Sequence, residues 1–311
     1  MTCLAINHTG KILYTGSWDK TILAFNTESR QVLRKFDAHL DFVKCLLYLP
    51  PRAGSAPLLL SGSSDASIIV WNAETGAKLH TLKGHTRGVT SLALDPISLV
   101  DPDGPYVVLS GGSERDIRQW TIFPSGVKAF EDLAHPPIIE HDTSVYKLRF
   151  SGDDAEELWT ASADNFARRI DIRGSRATEE SFKHPDFVND IVVDERWGLW
   201  VVTACRDENV RVWEKGSGKL HFVYEGHYEE VTGLCIVGGE VVSVGIDCTV
   251  RRWSLEPSAL KRAVEERRRK EEEEAKGEKV VLEKVMEKKE SLLTAEEEAE
   301  LAELMMDSDE D

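Results

Sequence analysis

The chain has 311 residues, 41% of them hydrophobic, which is enough apolar material for one large domain or two ordinary ones. It carries 55 acidic against 38 basic residues, a formal charge of −17, which argues against a surface built to track nucleic-acid phosphates and favours protein partners. No run of about 18 apolar residues marks a membrane span, and the N-terminus lacks the basic, then apolar, then small-residue pattern of a processed leader, so the expectation is an intracellular protein, cytoplasmic or nuclear.

In chain order, one register returns six times: TGSWDKTILAF (15–25), SGSSDASIIVW (61–71), SGGSERDIRQW (110–120), TASADNFARRI (160–170), TACRDENVRVW (203–213) and SVGIDCTVRRW (243–253). The acid column reads Asp19, Asp65, Glu114, Asp164, Asp207 and Asp247. Six residues later stand Phe25, Trp71, Trp120, Ile170, Trp213 and Trp253. Four residues before the acid there is always a hydroxyl: Thr15, Ser61, Ser110, Thr160, Thr203 and Ser243. Upstream of five units, His39, His85, His141, His184 and His227 each precede a valine by four residues (Val43, Val89, Val145, Val188 and Val231). The gap from the aromatic column to the next histidine is 14 residues in four of five cases, and the unit containing Pro136-Pro137 is the exception. Each repeat also contains four short apolar runs, such as VTSLAL (89–94) and KLHTL (78–82), separated by turn residues, which predicts an antiparallel four-stranded sheet.

The Gly-His pairs Gly84-His85 and Gly226-His227, followed by a closing Trp, resemble the signature of the WD-repeat family over roughly residues 1 to 256. The resemblance implies an all-β propeller with six recognisable blades. It also implies a hydrogen-bonded chain inside each blade, in which the indole donates to the hydroxyl, the hydroxyl meets the histidine and the acid holds the histidine. Full sets are expected at His39, Ser61, Asp65 and Trp71; at His184, Thr203, Asp207 and Trp213; and at His227, Ser243, Asp247 and Trp253. The set at His85, Ser110, Glu114 and Trp120 has Glu for Asp, the fourth unit has Ile170 for Trp, and both blades are expected to be looser. Met1 stands where the first unit should have its valine, and Pro257 follows where the last unit should begin a fourth strand. Two readings follow: a seven-bladed ring lacking its N-terminal part, or a six-bladed or open ring in which VVLEKV (280–285) folds back as the last strand.

Beyond the propeller (1–256), residues 257–311 form a charged helical or disordered acidic tail. Opposite charges four apart, such as Glu266/Lys270 and Arg268/Glu272, predict a solvated helix. Further on, Thr294 to Glu297 reads as a capping box that opens a short amphipathic stretch bearing Leu301, Leu304 and Met305, suited to a partner's groove.

Ser, His and Asp recur together as a hydrolase would need, but their repetition in every blade marks them as scaffolding and not as one exposed nucleophile. No enzyme activity, small-molecule substrate, cofactor or metal is expected: zinc-ligand spacing and a phosphate-cradling glycine loop are both missing, and the five cysteines are scattered. Binding is the remaining class. In a meander, the links between blades and the turns between second and third strands emerge on one rim. That places Trp18, Leu40, Phe42, Arg115, Asp142, Phe187, Arg206, Tyr228 and Glu230 there, a list rich in the side chains that anchor protein interfaces. The expected role is a non-catalytic scaffold working through rim and tail. The alternative is a substrate receptor of a cullin-type ubiquitin ligase, because Ile170-Asp171-Ile172-Arg173 resembles the W-D-x-R ending of adaptor-binding WD repeats.

Overall fold

The computed structural model describes residues 2–269, apart from 53, 126–127, 132–134, 153–154, 195, 197, 199 and 267. It divides into two compact units, Met1–Leu255 and Glu256–Asp311. The first is a series of antiparallel sheets. Blade 1 holds β1 (Cys3–Ile6), β2 (Ile12–Gly16), β3 (Thr21–Asn26) and β4 (Val32–Asp37). Blade 2 holds β5 (Val43–Leu49), β6 (Leu58–Ser63), β7 (Ser67–Asn72) and β8 (Lys78–Lys83); blade 3 holds β9 (Val89–Leu94), β10 (Tyr106–Gly112), β11 (Arg118–Ile122) and β12 (Ala129–Glu131). Blade 4 holds β13 (Val145–Ser151), β14 (Glu157–Ser162), β15 (Phe166–Asp171) and β16 (Thr178–Lys183); blade 5 holds β17 (Val188–Val193), β18 (Trp200–Cys205), β19 (Val210–Glu214) and β20 (Leu220–Tyr224). Among the described residues blade 6 has three strands, β21 (Val231–Val237), β22 (Glu240–Gly245) and β23 (Val250–Ser254).

The two-residue period of a strand explains why these sheets stack. Leu58, Leu60, Ile68 and Val70 of blade 2 belong to the core shared with blade 3, while the alternate residues Leu59, Ile69 and Trp71 belong to the core shared with blade 1. Separate apolar clusters lie likewise between blades 3 and 4 and between blades 4 and 5. Strands that are apolar on both faces cannot be stable alone, so each sheet depends on its neighbours. The inner strands line a channel to which Thr2, Lys44, Thr90, Lys147, Asn189 and Thr232 contribute. Register shifts recur at matching places, between Val43 and Cys45 and between Val188 and Asp190 on the inner strands, and at Val70/Trp71 and Val212/Trp213 on the third. These bulges twist each blade locally at the same step.

In the last unit β23 stops at Ser254, and in the second unit a helix runs over 257–266. Residues 280–285, the candidate returning strand, lie outside the described residues, as does the amphipathic stretch from 295 to 306. No helix among the described residues is long and apolar enough to cross a membrane.

The blades approach closely where the repeat has a glycine or alanine three residues before the acid. A Cβ on Gly62 would lie 2.5 Å from Cys45 Sγ and 2.8 Å from Val89 Cγ1 of the next blade. Gly62→Val is therefore expected to cost about 1–3 kcal/mol or more through overpacking, read as a lower urea midpoint. An unchanged midpoint would mean that these blades do not pack as closely as described.

Candidate functional site

Four blades bring a histidine, a hydroxyl and an acid into one hydrogen-bonded line. In blade 2, Trp71 Nε1 donates to Ser61 Oγ (2.8 Å), His39 Nε2 lies 2.7 Å from Ser61 Oγ, and His39 Nδ1 lies 2.9 Å from Asp65 Oδ2. Since Ser61 accepts from the indole and gives its own proton to Nε2, the imidazole carries its proton on Nδ1 and donates it to the carboxylate. Blade 6 repeats the set with Trp253–Ser243 at 2.8 Å, His227–Ser243 at 2.7 Å and His227–Asp247 at 2.9 Å. In blade 3, Glu114 reaches His85 Nδ1, Ser110 lies 2.6 Å from His85 Nε2, and Trp120 donates to Ser110 at 2.7 Å. In blade 4, His141 holds Thr160 (2.7 Å) and Asp164 (2.9 Å), with Ile170 packed where the indole would be.

Blade 5 departs from the expected set. Trp213 and His184 Nε2 both meet Thr203 Oγ1, at 2.9 and 2.8 Å, but His184 Nδ1 turns to the carbonyl of Phe182 at 3.0 Å. Asp207 is taken instead by Arg211, two of whose nitrogens reach its oxygens at 2.9 and 2.5 Å. A guanidinium satisfies both carboxylate oxygens at once, which an imidazole cannot, and the histidine then needs only one nearby carbonyl. The arginine stands four residues after the acid, and the same column reads Arg118, Arg168, Arg211 and Arg251 in blades 3 to 6. That signal was available in the aligned repeats and was missed; Arg168 also reaches Asp164, at 2.5 Å.

The acid does a second job. Asp65 Oδ1 accepts the amide of Ser67 (2.9 Å), while Oδ2 also accepts the amide of Leu40 (2.9 Å). The residue between, Ala66, is held at φ +64°, and Lys20, Asn165, Glu208 and Cys248 take the same left-handed conformation after their acids. The acid thus ties the turn between second and third strands to the link that enters the blade. Burial alone would raise the Asp65 carboxyl, but hydrogen bonds from Ser67, the Leu40 amide and His39 outweigh it and hold the group at about 2.

These turns and links carry the rim. Trp18, on the β2–β3 turn, is 68% exposed and lies against Phe42 of the following link, with ring centroids 5.8 Å apart. Leu40 beside them is 81% exposed, and Lys20 Nζ donates to its carbonyl at 2.8 Å. Elsewhere Phe187 is half-buried between the ring of Tyr146 (6.4 Å) and the guanidinium of Arg206 (5.2 Å), so it packs within the molecule as well as facing outward. Tyr228 is exposed with Arg251 5.6 Å above its ring. Arg115 and Asp142 are exposed, and Glu230 accepts from Asn189 at 2.8 Å. Of the rim residues named from sequence, Trp18 meets Phe42 with Leu40 on the same link, and Phe187 meets Arg206.

Comparison with known proteins places the chain. The WD domain, G-beta repeat model matches residues 1–26, 30–72 and 76–121. An uncharacterised WD repeat-containing protein of Schizosaccharomyces pombe is 35% identical over 302 residues, covering 96% of this chain and 73% of that protein. The chain belongs to the WD-repeat family. A nuclear distribution protein, nudF, of Aspergillus niger is 30% identical over 202 residues, 65% of this chain and 42% of nudF. The transcriptional corepressor LEUNIG_HOMOLOG of Arabidopsis thaliana is 24% identical over 218 residues, 70% of this chain and 25% of that protein. The chain therefore spans less than half the length of the latter two relatives.

WD repeats mediate protein–protein interaction, and the family is typically non-catalytic. The geometry of this member agrees with that role for the triad-like groups: Ser61 Oγ is wholly buried and already shared between Trp71 and His39, leaving no room for a substrate carbonyl. Arg173, which ends the segment resembling W-D-x-R, is engaged by both carboxylate oxygens of Asp95, at 2.7 and 2.5 Å.

Two outcomes test the quartets. Ser61→Ala leaves His39 Nε2 and the Trp71 indole unpartnered in a dry blade, each worth about 1–3 kcal/mol, so urea unfolding should show a loss of several kcal/mol; Thr15→Ala in blade 1, which has no histidine opposite among the described residues, should lose about 1 kcal/mol or less. The second concerns acid. Burial first, and the nearby Arg211 cation second, hold the His184 imidazole at about 4 against an ordinary 6.5. The unfolded chain therefore takes up that proton before the folded one does. The contribution is complete above pH 6.5 and is lost as pH falls from about 6.5 to about 4, amounting to roughly 3 kcal/mol. His184→Gln should flatten that part of the stability–pH curve; curves parallel to wild type would refute the assignment.

Proposed function

We propose that this WD-repeat protein is a non-catalytic scaffold that holds protein partners on the propeller rim, centred on the exposed Trp18–Phe42 pair and Leu40. The single observation carrying this reading is that pair: a tryptophan left 68% in water beside an exposed phenylalanine and leucine. Large aromatic side chains are the preferred anchors of interfaces, and a contiguous apolar patch is costly in solubility unless something covers it. The patch sits on turns tied down by the acid column, so it is pre-organised and loses little freedom on binding.

The partners of the proposal are proteins and not nucleic acids, in keeping with the −17 charge, and the setting is intracellular. The acidic tail is assigned the second contact, through its amphipathic stretch. The ubiquitin-ligase receptor reading draws on Arg173, whose guanidinium is committed to Asp95, and so has the weaker support.

Affinity purification followed by mass spectrometry tests the proposal. Trp18→Ala with Phe42→Ala should deplete the partners captured by the wild-type chain, each anchor being worth about 2 kcal/mol or more, or roughly 30-fold in affinity. The melting temperature should stay unchanged. An identical partner list at equal abundance would overturn the rim assignment, and loss of a ligase adaptor on Arg173→Ala alone would favour the receptor.

A further inference from the structure

Pairing with the second strands lays the inner strands of the blades over one another, and blade 4 breaks the pattern. One residue past the leucine or isoleucine that faces the hydroxyl column stand Ala5, Leu47, Ala93, Arg149, Val192 and Cys235. Only blade 4 has a cation there. Arg149 lies opposite Trp159, which packs in the core between blades 4 and 5, so its side chain leaves β13 on that face. Its Nε is buried with no hydrogen-bond partner, and no carboxylate pairs with the guanidinium among the described residues. Arg118, Arg168, Arg169, Arg173 and Arg211 each face a carboxylate. A half-buried charge without a counter-charge is costly, and the position calls for an anion.

Arg149 lines a cavity of 440 Å³ whose apolar walls are Phe150, Val192, Val193 and Ile236 and whose second cation is Arg196. Arg196 NH1 donates to the carbonyl of Gly238 at 3.0 Å, and the left-handed Gly239 is needed beside it, since a Cβ there would lie 2.9 Å from the same nitrogen. Asp194, the carboxylate in the lining, is fully buried and accepts the Arg196 amide on Oδ1 at 3.0 Å. Two guanidiniums from different blades thus meet one carboxylate that is already engaged.

We propose that this cavity binds the phosphate of a phosphorylated serine or threonine on a partner protein, with Arg149 and Arg196 donating to its oxygens. One guanidinium suffices for both oxygens of a carboxylate, as Arg173 shows on Asp95. A pair of guanidiniums matches a phosphate, which offers three strong acceptor oxygens and about two negative charges. The apolar walls keep water from the ion pairs, which strengthens them, and receive the side chains that flank the phosphorylated residue. A formal charge of −17 repels anionic bilayers and nucleic acids, so the phosphate arrives singly on a protein. Arg196 and Gly238 stand on turns between first and second strands, at the rim opposite Trp18, and the site is separate from the aromatic patch.

The probe is a fluorescein-labelled peptide with one phosphoserine between a leucine and a valine, titrated into the full chain beside its glutamate and unphosphorylated forms. The phosphorylated form should bind saturably and roughly tenfold or more tighter than either of the others, and in protein with isotope-labelled arginine the Arg149 Nε–H resonance should shift on binding. Arg149→Leu, which installs the residue that blade 2 carries as Leu47, should keep the wild-type melting temperature and weaken binding roughly tenfold or more, while Trp18→Ala should bind as wild type. Absence of binding, equal binding of the glutamate form, or undiminished binding by Arg149→Leu would each overturn the proposal. So would inorganic phosphate, or vesicles containing a phosphoinositide, binding as tightly as the peptide, since the phosphate would then not come from a protein.

Discussion

A sheet that is apolar on both faces is stable only between two others, and this constraint organises the molecule. Leu58, Leu59 and Leu60 follow one another in β6 and point alternately at blades 3 and 1, so neither neighbour can be removed without exposing one set. At about 25 cal/mol per Å² of apolar surface, these interfaces are the largest stabilising contribution the fold has. They also explain the glycine and alanine column, where a single methyl group would meet the next blade's valine. Blade 6 has Val244 in that column.

Inside this apolar stack, the polar quartets act as pins. A buried hydroxyl, imidazole and indole would each be costly alone, but together they satisfy one another and tie the inner link of a blade to its second and third strands. The carboxylate extends the pin to the surface by accepting the amide two residues on and the amide after the histidine. Blade 5 shows that the requirement is satisfaction and not a fixed pairing: with Arg211 on Asp207, His184 finds a carbonyl and the blade still closes.

That rigidity leaves the turns and links as the surface free to meet other molecules. Around the rim the exposed apolar residues Trp18, Leu40 and Phe42 gather on blades 1 and 2, and on the third strands beneath it the same two blades have Leu23 and Ile69 where blades 3 to 6 have arginines. The apolar patch lies on the sector of blades 1 and 2, while arginines back the acids of blades 3 to 5.

The repeat, the six blades and the columns of histidine, hydroxyl, acid and tryptophan were legible because each is a local pattern of residue types at fixed spacing. The exchange of partners at His184 and Asp207 was not, since it turns on whether the Arg211 guanidinium or the His184 imidazole reaches the carboxylate, a matter of ångströms that spacing does not encode. Likewise the amino-acid order places Trp18, Phe42 and Phe187 on one rim, but only the folded chain leaves Trp18 in water and tucks Phe187 between Tyr146 and Arg206. The sequence by itself determined which surfaces must be buried, because that follows from period and polarity; tertiary structure alone decided which of them found a neighbour, because that depends on how sheets meet in space.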